Sequence, residues 1–441
     1  MKFFNNPAIR KIIKSKALWA FLVLFVLFSF NAFSGITSVP FHPDESTQIF
    51  MSADFDLLRP NSHKTEMQSG ESNSLRYHYR LIDAPLTRDL VGLGRWLTGQ
   101  NTLLTDWDWS KTWEENRSAG ALPGNDLLLV SRLAITLCLP FSLGLIFLIG
   151  RMMGGNLNGL FSLALLGSNA LVLVHNRRAM AEGVLTLGIC LAIWTFLVTD
   201  SRSWLAGLGM AFAFNAKQSS LALLPLGILA VIWNPGRSIQ IKRACFSMLI
   251  YLFTFISVTF LLNPVFWSHP AQTLAASWNA RQELIQRQTR ETALLAPDQI
   301  MRTPVQRIGV LIRNLYLQPP AFYEVGNYRL QTESVEKEYS SHLSNNFFRD
   351  PISGGIFLFL TLLGLFYGIR NLQIAESSQK RNLVLVALGT FLQVAALLIA
   401  VPLPWQRYVV PVIPFICLWA GFAITHIVRG LLHVRITSMV A

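Results

Sequence analysis

Residues 17–36 read ALWAFLVLFVLFSFNAFSGI, and residues 41–46, just beyond them, read FHPDES. The first stretch holds about 20 mostly apolar residues, enough for one helix to cross the hydrocarbon core of a bilayer. It is longer than the roughly 7–15 residues of a signal-peptide core, and no small-residue cleavage site follows, so we interpret it as a retained transmembrane helix. Basic residues precede it and place the N-terminus on the cytoplasmic side; they are Lys2, Arg10, Lys11, Lys14 and Lys16.

The composition extends this interpretation to the whole chain. Of 441 residues, 52% are hydrophobic and only 14% are charged, whereas soluble globular proteins carry roughly 25% charged residues. The net charge of +13 does not indicate nucleic-acid binding, because the Lys and Arg residues lie in loops between apolar runs and build no basic face. Contact with an anionic membrane surface explains the charge better.

Further apolar runs of 17 or more residues predict an all-α polytopic membrane protein. The stretch 203–233 is too long for one span and is interrupted by Asn215, Lys217 and Gln218, so we predict two short helices that meet near the non-cytoplasmic face. The chain then crosses the bilayer about ten times with both termini inside, since every short cytoplasmic connection is basic. The other predicted spans are 17–36, 127–149, 157–175, 181–199, 244–262, 352–370, 383–401 and 408–428.

This topology makes residues 1–441 a single membrane domain with two large external loops, 37–126 and 263–351. Both loops mix Trp, Tyr, Arg, Asp and Pro and are too hydrophobic to be disordered, so we expect them to be structured. Residues 81–97 have helical periodicity, which predicts an amphipathic helix lying on the membrane.

Charged residues of both signs fall at helix ends on the non-cytoplasmic side. Carboxylates there suit proton transfer and cations suit a phosphate, although Asp44 and Glu45 after Pro43 are equally typical of a helix N-terminus. A divalent metal held by Glu182 and His42 stays open, because no fixed ligand spacing supports or excludes it. The full set is Asp44, Glu45 and Glu182 with Arg177, Arg178, Lys217 and Arg407.

The order of these motifs resembles the C-type glycosyltransferase superfold, and within it the protein O-mannosyltransferases and the lipid A aminoarabinose transferases. FHPDES at 41–46 is similar to their acidic motif, and PWQRYVVPVIPF at 404–415 is similar to their Arg-Tyr motif. HNRRAMAEGVL at 175–185 falls where they carry a second acidic residue, here Glu182 where Asp is commoner. The chain departs from their Pro-Pro-Leu element, having Ala-Pro-Leu at 84–86.

The resemblance implies a membrane glycosyltransferase whose donor is a sugar linked to polyprenyl phosphate. Asp44 would be the general base of an inverting transfer, with Glu45 beside it. The acceptor would be a glycan, a lipid or a protein, and we expect a bacterial inner membrane as the location. The donor phosphate would be bound by Arg407, Tyr408, Lys217, Arg177 and Arg178.

Two other classes are compatible with a polytopic chain. A transporter or flippase of lipid-linked saccharides would often carry internal repeats and polar residues at mid-membrane depth, and the sequence has no visible repeat. An O-antigen ligase or polymerase would typically have one large late loop. The acidic motif in a large first loop favours the group that uses a carrier monophosphate.

Overall fold

The computed structural model describes residues 16–58, 74–199, 202–233, 240–324 and 328–440, with side chains described up to residue 432. The basic residues at 2, 10, 11 and 14 lie outside the described residues. Within the described ranges the chain is built of helices and connecting turns, without β-strands. The protein is therefore all-α in its described part. Its long apolar helices make it a multi-pass integral membrane protein.

Seven helices of the described chain are long and apolar enough to cross a membrane. An eighth span forms if Asn156–Gly167 and Ala170–Asn176, which meet at a bend of 61°, cross together. The prediction of about ten spans stays a prediction, since it also counts two shorter helices. The seven are Lys16–Ser34, Asn125–Gly154, Ala181–Val198, Ile241–Leu262, Pro351–Asn371, Ser377–Ala400 and Gln406–Leu432.

The predicted break in the stretch 203–233 is confirmed. Helix Ser203–Ala216 ends at Lys217, whose backbone is extended, and a second helical segment covers Gln218–Ile232. The side chain of Asn215 donates to Ala211 O inside its own helix and to Thr259 of the neighbouring helix. Polar residues are tolerated here because the neighbouring helix satisfies them.

The last span lies at the centre of the bundle. Of its apolar window 89% is buried, against 6% for both Lys16–Ser34 and Ile241–Leu262, which face outward. It packs closely on Pro351–Asn371, where a Cβ at Gly364 would clash with the Trp419 carbonyl. Small residues at such a crossing let two helix backbones approach within van der Waals contact.

Both loops that the sequence predicts to be external are structured where they are described. The first contains helices Pro43–Met51, Ala53–Leu57, Leu75–Ile82, Leu86–Leu97 and Trp113–Ser118. The second contains Pro270–Leu295, Pro304–Ile312 and Arg329–Ser341, with short turns between them. The two loops meet through aromatic contacts, in which Trp107 and Trp109 of the first pack against Tyr328 of the second.

The prediction of one helix over 81–97 is wrong. Helix Leu75–Ile82 ends at Asp83, and Leu86–Leu97 begins after Pro85, because proline cannot donate an amide hydrogen bond and restricts the residue before it. The second helix is nonetheless amphipathic. Trp96 and Leu97 are exposed, while Arg88 and Arg95 on its other side are buried.

Candidate active site

Asp44 lies at the start of the first loop, on helix Pro43–Met51. His42 caps this helix: its Nδ1 accepts from the Asp44 amide at 3.1 Å, and its own amide donates to Glu45 at 3.0 Å. This reciprocal capping satisfies amide groups that the helix leaves unpaired. The cap fixes the direction of Asp44, whose side chain keeps 30% of its surface exposed.

Arg407 joins Asp44 to the second loop. Its Nη1 contacts Asp44 Oδ2, and its Nε lies 3.4 Å from Glu324 Oε1. Glu324 Oε2 in turn lies 2.8 Å from His42 Nε2. Burial alone would raise the pKa of Glu324, but the charges of Arg407 and His42 hold that pKa well below its ordinary value, so the carboxylate is ionised. Residues from three distant parts of the sequence thus form one chain of charges.

A second ion pair lies beside this chain. Lys217, at the break between the two short helices, contacts Glu182 at the first turn of helix Ala181–Val198. Glu182 is buried, whereas the Lys217 side chain is 22% exposed. Glu182 is also within electrostatic range of Arg407 and His175. The structure therefore places Asp44, Arg407, Glu182 and Lys217 in one polar cluster.

Glu45 has a different environment from its neighbour Asp44. It is fully buried, and each of its two carboxylate oxygens accepts two hydrogen bonds. Oε1 accepts from the His42 amide at 3.0 Å and Arg132 Nη2 at 2.8 Å; Oε2 accepts from Arg132 Nε at 2.8 Å and the Ala179 amide at 3.0 Å. Burial alone would raise the pKa of Glu45, but Arg132 lowers it. Glu45 has no free lone pair aimed at a substrate.

Arg177 and Arg178 are likewise occupied. The guanidinium of Arg177 donates to Ala32 O, Asn31 O, Tyr339 Oη and Asn345 Oδ1 at 2.5–3.1 Å. Arg178 donates to Pro40 O at 2.9 Å and to Phe322 O at 3.1 Å. Both side chains are 1% exposed. They connect the second loop to the end of the first span. Because these hydrogen bonds occupy them, they do not form an open anion site with Lys217.

Tyr408 belongs to an aromatic pair at the edge of the cluster. Its ring stacks on Trp405 with centroids 5.5 Å apart and an angle of 16° between the planes. The Arg407 guanidinium carbon lies 5.0 Å from the Trp405 ring centroid, a cation–π distance. Beside this pair opens a small cavity, whose apolar lining includes Leu311, Leu397, Leu398, Val401, Leu403 and Val409.

Comparison with solved structures identifies the fold. The oligosaccharyltransferase of Archaeoglobus fulgidus in its apo form aligns over 95% of this chain with a TM-score of 0.52 and 10% sequence identity. The same protein in complex with zinc and sulfate aligns over 93% with a TM-score of 0.53 and 11% identity. The chain has the C-type glycosyltransferase fold. This confirms the fold that the sequence motifs resemble.

Other comparisons add less. ArnT from Cupriavidus metallidurans, solved bound to undecaprenyl phosphate, aligns over 93% of this chain and 60% of its own at 14% identity, with a TM-score of 0.47. The chain covers 52% and 50% of the two oligosaccharyltransferase chains, so it spans about half of their length. No family model and no curated protein matches the sequence.

In the candidate site, the carboxylates that would hold a divalent metal are paired with basic side chains. Asp44 and Glu324 share Arg407, and Glu182 is paired with Lys217, so cations already lie against the carboxylates that would ligate one. His42, the other predicted ligand, contacts Glu324. The described residues contain no group of three or more His, Cys, Asp or Glu that could hold a metal ion.

Three residues of the candidate site were missed by sequence reasoning. Glu324 lies in a loop without periodicity or motif, so nothing in the sequence marks it. Arg132 lies inside the predicted span 127–149, and an ionisable residue in a span signals a buried partner, here Glu45. His175 begins the motif at 175–185, but only the charged residues of that motif, among them Glu182, were singled out.

Proposed function

We propose that the protein is a membrane glycosyltransferase that moves a sugar from a polyprenyl-phosphate carrier to an acceptor. The observation that carries this proposal is the contact of Arg407 with Asp44, next to the pair of Lys217 and Glu182, at the ends of apolar helices. A cation and a carboxylate with exposed surface at a membrane boundary suit a substrate whose charged head meets water and whose tail lies in lipid. The fold shared with an oligosaccharyltransferase agrees with sugar transfer.

Arg407 and Lys217 would stabilise the leaving group. When the bond between the anomeric carbon and the phosphate oxygen breaks, negative charge grows on the phosphate, and fixed cations lower the energy of that state. The Nε of Arg407 lies 3.4 Å from Glu324 Oε1 but makes no hydrogen bond among the described residues, so we expect this N–H to donate to a phosphate oxygen. Tyr408, beside it, would add a hydroxyl. Arg177 and Arg178 would act only indirectly, by holding the second loop in place.

Asp44 would be the general base. It would take the proton from an acceptor hydroxyl or amine as that group attacks the anomeric carbon and polyprenyl phosphate departs. A single displacement with no covalent sugar–enzyme intermediate inverts the anomeric centre. Asp44 is paired with Arg407; a phosphate that binds Arg407 would compete for this cation and free the carboxylate. Glu45 would position the helix that carries Asp44.

The carrier chain would lie in the cavity beside Trp405 and Tyr408. That cavity is lined mostly by Leu, Val and Met side chains of residues 301–311 and 397–409, together with Arg307, Asn314, Trp405 and Tyr408. The first isoprenyl units would lie here, with the phosphate beside Arg407, which lies between Trp405 and Tyr408 in the sequence. We place the site on the non-cytoplasmic face of a bacterial inner membrane, with both termini cytoplasmic and a glycan, lipid or protein as the acceptor.

The test is sugar transfer by purified protein in detergent from a set of polyprenyl-phosphate sugars, with and without EDTA. Wild type should release free polyprenyl phosphate, Asp44→Asn should lose turnover while keeping its melting temperature, and the exposed Glu114→Gln should behave as wild type. Full activity of Asp44→Asn would remove Asp44 as the base. Loss of activity in EDTA that added metal restores would show a metal requirement.

Absence of release from every donor would contradict the proposal. Movement of a lipid-linked saccharide across proteoliposomes in that case would favour a transporter. The two outcomes are separable because a transporter leaves the bond between sugar and phosphate intact.

A further inference from the structure

His175 is a buried imidazole without a hydrogen bond. It is 2% exposed, and neither Nδ1 nor Nε2 has a partner. A buried polar group left unpaired costs stability, and native proteins rarely keep one. A hydrogen-bonding partner that binds this imidazole would remove that cost.

The backbone around His175 is firmly held. Asn169 caps its helix, Ala170–Asn176, by accepting from the amides of Leu171 and Val172 at 3.1 and 3.2 Å. Just after the helix, Arg177 and Arg178 bind carbonyls of residues 31, 32, 40 and 322. The helix that carries His175 is therefore fixed in place, and no group of the described chain hydrogen-bonds to its imidazole.

The imidazole belongs to the polar cluster of the site. Its electrostatic neighbours are Glu182, Arg178, Glu324 and His42. Two of these neighbours, Glu182 and Glu324, are the carboxylates that pair with Lys217 and Arg407. A Cβ at Gly183 would meet Asn176 Cα at 3.4 Å, so the end of the helix that carries His175 lies against the turn that carries Glu182, the partner of Lys217.

We propose that His175 binds a hydroxyl group of the transferred sugar and so helps to select the donor. This inference depends on the proposed function. A neutral imidazole carries one donor and one acceptor, which matches a hydroxyl that can donate and accept. A phosphate, in contrast, offers only acceptors in its ionised form, and Arg407 and Lys217 already supply donors for it.

The test compares His175→Leu and His175→Gln with wild type, using the polyprenyl-phosphate sugar that wild type transfers. Leu fills the same volume without polar atoms, so the melting temperature should stay equal or rise, since an unpaired polar group has been removed. With the full donor, kcat/KM of His175→Leu should fall about three- to tenfold, the effect of one lost hydrogen bond between neutral groups. Gln keeps a donor and an acceptor and should restore part of the loss.

Two readouts separate sugar from phosphate. Inhibition by free polyprenyl phosphate should be the same in wild type and His175→Leu. A set of donors, each lacking one sugar hydroxyl, should include one that wild type uses poorly. His175→Leu should use this donor as well as it uses the full donor.

Equal kcat/KM of wild type and His175→Leu for the full donor would overturn the inference, and would indicate that water satisfies the imidazole. Weaker inhibition of His175→Leu by polyprenyl phosphate would overturn it by placing His175 on the phosphate. Failure of both variants to fold would assign a structural role instead. Release by wild type from no donor at all contradicts the proposed function, which distinguishes that failure from the others.

Discussion

Glu45→Gln should unfold the protein at a lower temperature, whereas Asp44→Asn should not. Both oxygens of Glu45 accept only from N–H groups, two each. The amide nitrogen of a glutamine would face two of these donors and leave Arg132, which is 3% exposed, as a buried cation without a counter-charge. Removing one partner of such a buried pair costs about 3–5 kcal/mol.

The expected shift follows from the size of the chain. Unfolding entropy is about 2.1 cal/mol/K per residue, which for 441 residues gives roughly 0.9 kcal/mol/K. A loss of about 3–5 kcal/mol therefore lowers the melting temperature by about 3–5 °C. Asp44 is partly exposed, and Arg407 keeps Glu324 as its neighbour, so Asp44→Asn should cost about 0–1 kcal/mol, or about 1 °C at most.

The assay is thermal unfolding of wild type and both variants in one detergent, followed by turnover of the folded fraction with a polyprenyl-phosphate sugar. We expect Glu45→Gln to melt early and to retain activity below its melting temperature, and Asp44→Asn to melt normally without activity. A Glu45→Gln variant that melts with wild type but has lost turnover would refute this reasoning and make Glu45 a participant in the chemistry.

Three further predictions follow from other contacts. Arg407→Met should lower kcat about 10²–10³-fold, as expected for loss of one fixed group that stabilises charge in the transition state, and an unchanged kcat in steady-state release would exclude it from the phosphate. Arg177→Met should lower the melting temperature by several degrees and leave inhibition by polyprenyl phosphate unchanged. Weaker inhibition of this variant would indicate that Arg177 does bind the phosphate. Burial raises the pKa of Asp106 from 3.8 to about 6, despite its hydrogen bond from Tyr79. The folded state therefore favours the protonated acid, and ionisation of Asp106 destabilises it by about 3 kcal/mol once the pH exceeds 6. Asp106→Asn should therefore melt about 3 °C above wild type at pH 7.5, with the difference shrinking toward pH 4, and a difference independent of pH would contradict this.

The membrane-spanning architecture follows from the sequence because hydrophobic length is a local property. The break at Asn215–Gln218 was predictable for the same reason: polar residues interrupt an apolar stretch too long for one span. Proline at position 85 carries an equally local signal for ending a helix, but periodicity over residues 81–97 concealed it.

The roles of neighbouring charges were not predictable. Asp44 and Glu45 are adjacent, yet on a helix they point about 100° apart, so one faces the cluster and the other faces Arg132. Arg177 and Arg178 are as basic as Lys217, but their partners are backbone carbonyls and the side chains of Tyr339 and Asn345, all more than 130 residues away. Only tertiary contacts distinguish a cation proposed to bind substrate from one that holds two loops together.

The contact between Asp44 and Arg407 joins residues 363 positions apart, and this has a consequence for biogenesis. The ribosome completes the chain from the N-terminus, so Asp44 enters the membrane long before Arg407 has been made. The cluster can close only after the last, most buried span has inserted between its neighbours. If the proposed function holds, a chain stalled before that step would have the base but not the cation that stabilises the leaving group, and would transfer no sugar.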